Sequence, residues 1–281
     1  MAPTPNVAIE PGWLSGSKGS AMDLNLMTSN GFFYFKDGSL LCVITSMKTV
    51  RMAIVNRTKR EFFNTTVKDT ASADPLKRLI VNGSYCLPGA TDVPCHNPNI
   101  TIIGDVFDKG ASLSLIGEKR KDSASLYLDD ASPPAWKFAI SEPPSTCTAG
   151  LGGLVPLVIG GAKIDRSNER YKGAIEYKNS DKRTDIGRLA VAASKDSKYL
   201  LIALLPDAVS PGLTMEQIRD KLAAADMSDA VLLDGSDSVM MYLDFDWKAS
   251  QGLLKSAVTK IGLAFFYPKG TEPHTIDIDT K

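Results

Sequence analysis

The sequence predicts a single α+β domain built on a mixed, strand-rich sheet with few helices. Short apolar runs bounded by Gly, Pro, Asn, Asp or Ser recur along the chain, as expected for strands separated by turns. Clear amphipathic helical spacing occurs in residues 214–225, and the apolar runs do not alternate regularly with helices. This lack of alternation argues against a parallel βαβ architecture and favours the α+β class.

The size and composition of the chain are those of an ordinary globular protein. Its 281 residues can form one large domain or two small ones, and they are 43% hydrophobic and 23% charged. Lys plus Arg and Asp plus Glu are equal at 32 each, so no charge excess predicts a nucleic-acid or membrane partner. No apolar run approaches the roughly 20 residues that span a bilayer. No signal peptide is visible, and localisation and oligomeric state stay open.

The chain is expected to divide into three parts. Residues 1–20, rich in Pro, Gly and Ser, predict an extended arm, residues 21–267 the folded domain, and residues 268–281 a polar tail. Within the domain, residues 31–35 and 40–45 are strand-like and flank a Lys-Asp-Gly-Ser turn. This pattern predicts a β-hairpin.

The remaining secondary structure follows from the same turn-bounded pattern. Strands are predicted at residues 51–55, 61–67, 79–81, 100–106, 111–117, 125–128, 136–140, 154–159 and 261–267. Residues 189–193 and 199–205 flank a Lys-Asp-Ser-Lys turn and predict a second hairpin. A short helix is expected in the polar stretch 70–77, and an exposed excursion in the charged stretch 163–182.

The clearest functional signal is a polar turn that follows a helix and a buried strand. Thr214 and Gln217 form a capping-box pattern at the helix start, and residues 230–233 are a short apolar run typical of a buried strand. The run ends in Asp234-Gly235-Ser236-Asp237-Ser238. A carboxylate in this position stands where α/β proteins commonly place chemistry, and the Gly and Ser residues can present donors to an anion. The alternative is that Asp234-Gly235 is only a hairpin turn.

The four cysteines leave the redox compartment open. Cys86 and Cys95 bracket a short Pro- and Gly-rich loop, so we expect their Cα atoms to lie within about 7 Å, close enough for a disulfide. Together with His96 they provide only three potential ligands, short of a structural zinc set. Asn-x-Ser/Thr sequons at positions 56, 64, 82 and 99 fit a secreted glycoprotein, or chance in an Asn- and Thr-rich stretch.

Four stretches follow one another along the chain: Val81-Asn82-Gly83, residues 153–161, Arg183-Thr184-Asp185-Ile186-Gly187 and residues 214–238. Together they resemble, over roughly residues 50–267, the phosphodiester glycosidase family, relatives of the enzyme that uncovers mannose 6-phosphate on lysosomal glycoproteins. These stretches resemble the family's Asn-Gly strand end, its Gly-Pro-Leu-Val stretch, its Arg-Thr-x-Ile-Gly segment, and its helix followed by Leu-Asp-Gly-Gly-Gly-Ser. The order and spacing of the set carry the resemblance.

The resemblance implies a glycosidase-type hydrolase that cleaves a sugar-1-phosphodiester at the anomeric carbon. A phosphorylated sugar or glycan would be its partner, and no cofactor would be required. Asp234 would act as nucleophile or water-activating base, Arg183 would bind the phosphate, and Asn82 would hydrogen-bond the sugar. The implied substrate-binding residues are Ser238, Gly83, Gly235, Thr184 and Asp237. Structural alternatives are a salt bridge for Arg183, a left-handed turn for Asn82 and a turn hydrogen bond for Ser238.

The sequence departs from the family within the motifs themselves. Ser236 and Asp237 stand where the family has glycines, and Ser84 and Cys86 stand where it has Gly and Phe. A second carboxylate beside Asp234 would repel a phosphate or recruit a divalent cation near Asp234 and Asp237. Two other functions therefore stay open: a non-catalytic binding module for a phosphorylated sugar or nucleotide, and a structural protein.

A ligand-binding function makes one geometric prediction. The side chains of Asn82, Arg183, Asp234 and Ser238 should converge on one pocket despite their separation in sequence.

Overall fold

The computed structural model describes residues 31–59, 61–76, 78–83, 104–109, 111–113, 123–129, 134–164, 182–235, 238–252, 256 and 259–270. The predicted N-terminal arm and residues 271–281 of the predicted tail lie outside these ranges. Cys86, Cys95 and Asp237 lie outside them as well, so the expected approach of the two cysteines stays a prediction.

The described residues form sixteen strands and two helices. The strands are β1 (Phe32–Asp37), β2 (Leu40–Ser46), β3 (Arg51–Asn56), β4 (Leu79–Asn82), β5 (Val106–Asp108), β6 (Ala111–Ser112), β7 (Ala124–Asp129), β8 (Ala135–Ala139), β9 (Ala149–Ile159), β10 (Ala162–Lys163), β11 (Arg188–Ser194), β12 (Tyr199–Leu205), β13 (Met227–Leu232), β14 (Met241–Leu243), β15 (Asp246–Ala249) and β16 (Ile261–Phe266). The helices are α1 (Phe63–Ala73) and α2 (Met215–Ala224). Neither helix has the length and hydrophobicity that a membrane crossing requires.

The strands form two sheets. The larger has 11 strands in the order β1-β2-β12-β11-β13-β9-β5-β6, with β10 and β7 also paired to β9 and β8 paired to β7. The smaller has 5 strands in the order β15-β14-β4-β16-β3. Every strand pair among the described residues is antiparallel. The strand-rich α+β class is confirmed, and the mixed sheet is corrected to two antiparallel sheets.

Three hydrophobic clusters show how the layers stack. The largest cluster joins residues of both sheets, such as Val191 of β11 and Leu263 of β16, so it lies between them. Helix α2 covers the other face of the large sheet through Ile218 and Leu222. Helix α1 covers the other face of the small sheet through Phe63 and other apolar residues. The order of layers is therefore α2, large sheet, small sheet, α1.

The strands of the large sheet do not alternate apolar and polar residues, because both faces of that sheet are buried. Within β11, Leu189 and Val191 belong to the cluster between the sheets, whereas Ala190 and Ala192 belong to the cluster under α2. Continuous apolar runs are typical of parallel sheets. Here an antiparallel sheet has the same appearance in sequence because a second sheet and a helix cover its two faces.

Local signals predicted most elements, but not β10, β15 or the part of α1 before the helix expected at residues 70–77. Both predicted hairpins are confirmed, because β1 pairs with β2 and β11 with β12. The strand predicted at residues 61–67 is wrong, since α1 begins at Phe63. Thr65 and Thr66 are β-branched and favoured a strand. Phe63, Val67 and Ala71 nevertheless recur at helical spacing and are buried against the small sheet.

The predicted capping box of α2 is present. The Thr214 hydroxyl accepts a hydrogen bond from the Gln217 backbone N–H at 3.1 Å, and the Gln217 side chain accepts one from the Thr214 N–H at 2.7 Å. Such a cap stabilises a helix start by about 1 kcal/mol. The helix leads into β13, whose end delivers Asp234.

Candidate functional site

The ends of several strands meet where corresponding edges of the two sheets come together. In the large sheet, β13 ends beside the start of β11, and the Leu233 N–H donates to the Leu189 carbonyl at 2.9 Å. In the small sheet, β4 ends beside the start of β16, and the Gly83 N–H donates to the Ile261 carbonyl at 2.9 Å. The Asp234 N–H donates to the Gly83 carbonyl at 3.0 Å and so joins the two edges. Asp234 therefore sits at the junction of the sheets.

The segment from Asp234 to Ser238 is a crossover between sheets. Strand β13 pairs with β11 and β9 in the large sheet, whereas β14 pairs with β4 and β15 in the small one. The chain thus changes sheet between these two strands. The hairpin alternative for Asp234-Gly235 is wrong.

Asn82 holds both sides of this crossover. Its side-chain Nδ2 donates to the Asp234 carbonyl at 2.6 Å, and its Oδ1 accepts from the Met240 N–H at 3.0 Å. The residue is fully buried and remains in β4 paired with Gly262, which excludes the left-handed turn alternative. Asn82 is enclosed and both polar atoms of its side chain are hydrogen-bonded, so it supports the crossover. For the same reason its side chain cannot be N-glycosylated in the folded protein. Direct contact between Asn82 and a sugar stays a prediction.

The Asp234 carboxylate is half-buried, and its Oδ1 accepts from the Gly235 N–H at 3.0 Å. Gly235 packs tightly against another segment. A Cβ atom added there would lie 2.8 Å from the Gly187 carbonyl oxygen. The crossover thus touches the start of β11 through main-chain atoms, with no room for a side chain.

Gly235→Ala is expected to destabilise the protein by about 1–3 kcal/mol, because the added methyl group meets a backbone carbonyl that must move. Urea unfolding of the wild type and of Gly235→Ala measures this difference in the free energy of unfolding. Gly252→Ala is the matched control, since a Cβ atom at Gly252 would meet nothing within 4 Å. Equal stability of the two variants would contradict the tight packing of Gly235.

Main-chain contacts also fix residues 183–187. The buried Arg188 guanidinium donates through Nη2 to the Arg183 carbonyl at 2.8 Å. The carbonyl oxygen of Thr184 packs so closely on Gly212 that a Cβ atom there would lie 1.7 Å from it. The Gly187 N–H donates to Asp207 Oδ1 at 2.8 Å. This segment is therefore held firmly next to the crossover.

The Arg183 side chain is paired within its own segment. Its Nε and Nη2 donate to the two carboxylate oxygens of Asp185 at 2.8 and 2.6 Å, and both side chains are exposed. The hydrogen bond with Asp185 raises the pKa of Arg183 and lowers the pKa of the Asp185 carboxyl. The structure brings Asn82, Gly83, Asp234, Gly235 and Ser238 together and places Arg183 and Thr184 on the adjoining segment. The guanidinium of Arg183 is held by Asp185.

Ser238, the last residue of the crossover, is fully buried. Its N–H donates to the Gly235 carbonyl at 3.2 Å, and its carbonyl accepts from the Gln251 side chain. Its hydroxyl has no hydrogen-bond partner within the described residues. The contact between this hydroxyl and a phosphate stays a prediction.

A cleft of about 390 Å³ lies beside the crossover, and sequence reasoning missed it. Its lining includes Asp207, Val239, Lys248 and Ser250. Asp207 follows the end of β12 as Asp234 follows the end of β13. The sequence signal that indicated Asp234, a carboxylate after a buried strand, therefore also applies to Asp207. In the described part of the chain, no three His, Cys, Asp or Glu residues are grouped to hold a metal ion. The divalent cation expected near Asp234 and Asp237 stays a prediction, because Asp237 lies outside the described ranges.

The chain matches no protein-family model and no curated protein. Among solved structures it is similar to the catalytic domain of zebrafish N-acetylglucosamine-1-phosphodiester alpha-N-acetylglucosaminidase, auto-inhibited by its pro-peptide. The identity is 14% and the TM-score 0.54, over 85% of this chain and 82% of that chain.

Two further structures are similar at 10% identity. A putative exported protein from Burkholderia pseudomallei has a TM-score of 0.56 over 81% of this chain and 73% of that chain. A hypothetical protein from Synechocystis has a TM-score of 0.54 over 84% of this chain and 61% of that chain. At these identities, likeness to the three structures shows a shared fold.

Proposed function

We propose that this protein is a glycosidase-type hydrolase that cleaves a sugar-1-phosphodiester at the anomeric carbon. The observation that carries the proposal is the Asp234 carboxylate at the junction of the two sheets, on a fold shared with a phosphodiester glucosaminidase. Main-chain bonds to Gly83 and the Asn82 side chain fix the backbone of Asp234 on both sides. A carboxylate positioned in this way suits a reaction that needs fixed geometry.

The chemistry requires few groups. A phosphate monoester is a good leaving group, so acid assistance matters less than for an ordinary glycoside. A carboxylate near the developing oxocarbenium ion and a cation near the phosphate are the main needs. Asp234 supplies the carboxylate in this proposal. Asp234 is partly exposed as a residue, and the Gly235 N–H bond orients one of its carboxylate oxygens.

The proposal assigns the phosphate to Arg183 and predicts that Arg183→Ala weakens binding of a sugar-1-phosphodiester about tenfold, since a charge-assisted hydrogen bond is lost. Isothermal titration calorimetry measures the dissociation constant. Arg78→Ala is the control, because Arg78 also forms a surface ion pair, with Asp244 at 3.3 Å. An unchanged dissociation constant in Arg183→Ala would remove Arg183 from the phosphate site.

A panel of sugar-1-phosphodiesters that varies the sugar and the aglycone tests the proposed function. The expected result is release of the reducing sugar together with a phosphate monoester, in equal amounts. A panel without any hydrolysis would contradict the proposal.

The alternative function is a binding module for a phosphorylated sugar or nucleotide on the same scaffold. Ser236 and Asp237 favour it, because they add side chains and a negative charge to the crossover where the family has glycines. A ligand at 100 times its dissociation constant would stabilise the folded protein by about 2.7 kcal/mol. Stabilisation without turnover would support this alternative, and the absence of both effects would leave a structural protein.

A further inference from the structure

The cleft lined by Asp207 and Lys248 lies between corresponding edges of the two sheets. Strands β12 and β13 both run antiparallel to β11, so Asp207, after the end of β12, emerges at the same edge as Asp234. Lys248 and Ser250 come from the end of β15 in the small sheet, and Val239 directly follows the crossover. The volume of about 390 Å³ is within the range of small-molecule sites.

One residue connects Asp207 to the backbone of the crossover. Gly187 donates its N–H to Asp207 Oδ1 at 2.8 Å, and its carbonyl oxygen is the atom that would lie 2.8 Å from a Cβ atom at Gly235. Asp207 and Asp234 therefore flank the same backbone unit.

Of Asp185 and Asp207 at this edge, Asp207 keeps one carboxylate oxygen without a hydrogen bond to the described residues. Arg183 occupies both oxygens of Asp185. Asp207 uses Oδ1 for Gly187, and within the described ranges Oδ2 makes no hydrogen bond. The next residue, Ala208, has a left-handed backbone with φ of 58°, which costs an L-residue about 1 kcal/mol. Backbone strain of this kind is often found at functional sites.

The small-sheet side of the cleft contributes the ammonium group of Lys248, which is ion-paired with Asp246. Lys248 Nζ is 2.8 Å from Asp246 Oδ2 and 5.5 Å from the centre of the Tyr34 ring. A carboxylate on one sheet edge and an ammonium on the other suit a ligand with an electron-poor anomeric carbon at one end and a phosphate at the other.

We propose that Asp207 is the second carboxylate of the site and that the cleft holds the reacting sugar-1-phosphodiester, with Lys248 as a second cation near the phosphate that the proposed function assigns to Arg183. This inference rests on the proposed hydrolase function. Asp207 takes a proton from water as the water oxygen forms a bond to the anomeric carbon. That carbon carries either the phosphate or, in a glycosyl-enzyme, the Asp234 carboxylate. In direct hydrolysis the bond from the anomeric carbon to the phosphate oxygen breaks, and its electron pair leaves with the phosphate monoester. Where Asp234 is the nucleophile, its carboxylate first bonds to the anomeric carbon as the phosphate monoester leaves with the electron pair of the broken bond; water then displaces the Asp234 carboxylate, which takes back its electron pair. The proton then passes from Asp207 to solvent.

Two substitutions separate proton transfer from support of Gly187. Asp207→Asn keeps an acceptor for the Gly187 N–H and removes the negative charge, whereas Asp207→Ala removes both. We expect both variants to lower kcat by about 10²–10⁴-fold, the range for a positioned base. Sodium formate should restore part of the activity of Asp207→Ala, because a small carboxylate can occupy the space of the missing side chain.

Asp196→Asn is the matched control at the opposite edge of the same sheet. Asp196 also accepts a backbone N–H through Oδ1, from Lys198 at 3.1 Å, and should show wild-type kcat after substitution. Near-wild-type kcat in Asp207→Asn with a loss only in Asp207→Ala would overturn the inference and leave Asp207 as a support of Gly187. The hydrolase proposal would survive that result, because wild-type turnover does not depend on it. Absence of turnover in the wild-type protein would overturn both.

Discussion

Asp234→Asn is expected to lower kcat on a sugar-1-phosphodiester by about 10²–10⁴-fold with KM largely retained. The substitution keeps the shape of the side chain and an oxygen that can accept from the Gly235 N–H, so the crossover should keep its conformation. The bonds to Gly83 and Asn82 use main-chain atoms of Asp234 and do not depend on its carboxylate. The loss should therefore fall on the chemical step. Steady-state kinetics with unfolding curves for both proteins make the comparison.

The same strand provides a control for Asp234→Asn. Asp229 also accepts a backbone N–H, from Gly160 at 2.9 Å, but it lies toward the other end of β13. Asp229→Asn should leave kcat unchanged. Wild-type turnover that is unaffected by Asp234→Asn would remove Asp234 from the mechanism.

Elements specified by nearby residues could be predicted from the sequence. The turn at Gly38 defines the first hairpin, and Thr214 with Gln217 defines the start of α2. Helix α1 was missed over residues 61–67 because the β-branched threonines there outweighed a helical spacing of only three apolar residues. That spacing indicates a helix only once these apolar residues are known to pack against the small sheet.

The division into two sheets could not be predicted, because it depends on contacts between distant residues. Strand β9 pairs with β13 and β5, and β4 pairs with β14 and β16, far apart in the chain. A strand buried on both faces has no polar side to show which layer it faces. The step of the chain from one sheet to the other at Asp234 is invisible in the local pattern, which is also that of a hairpin.

The candidate site was only partly predictable for a related reason. A polar residue at the end of a buried strand identified Asn82 and Asp234, which the structure joins by a hydrogen bond. For Arg183, the sequence left a salt bridge open, and the neighbour two residues away provides it. Asp207 also follows the end of a buried strand. No cluster of glycine and serine residues comes directly after it, so the local sequence did not indicate a ligand site there.

Asn82→Ala is expected to destabilise the protein by about 2–5 kcal/mol. The methyl side chain leaves the Asp234 carbonyl and the buried Met240 N–H without their partners, and each unsatisfied group costs about 1–3 kcal/mol. This is a large share of the roughly 5–15 kcal/mol that stabilises a typical domain. Urea unfolding measures the change, and a constant m value would show that the folded state lost stability.

Asn64→Ala provides the matched comparison, because Asn64 is half-buried and donates one longer bond, of 3.3 Å, to the Gln251 carbonyl. We expect a clearly smaller loss there. Asn82→Asp separates hydrogen bonding from volume, since it keeps the shape and an acceptor for Met240 but turns an oxygen toward the Asp234 carbonyl. A buried charge without a counter-charge should make it at least as unstable as Asn82→Ala. If Asn82→Ala instead unfolds like the wild type and keeps its turnover, the amide is not what holds Asp234 at the junction, and the bonds to Gly83 and Gly235 position the carboxylate without it.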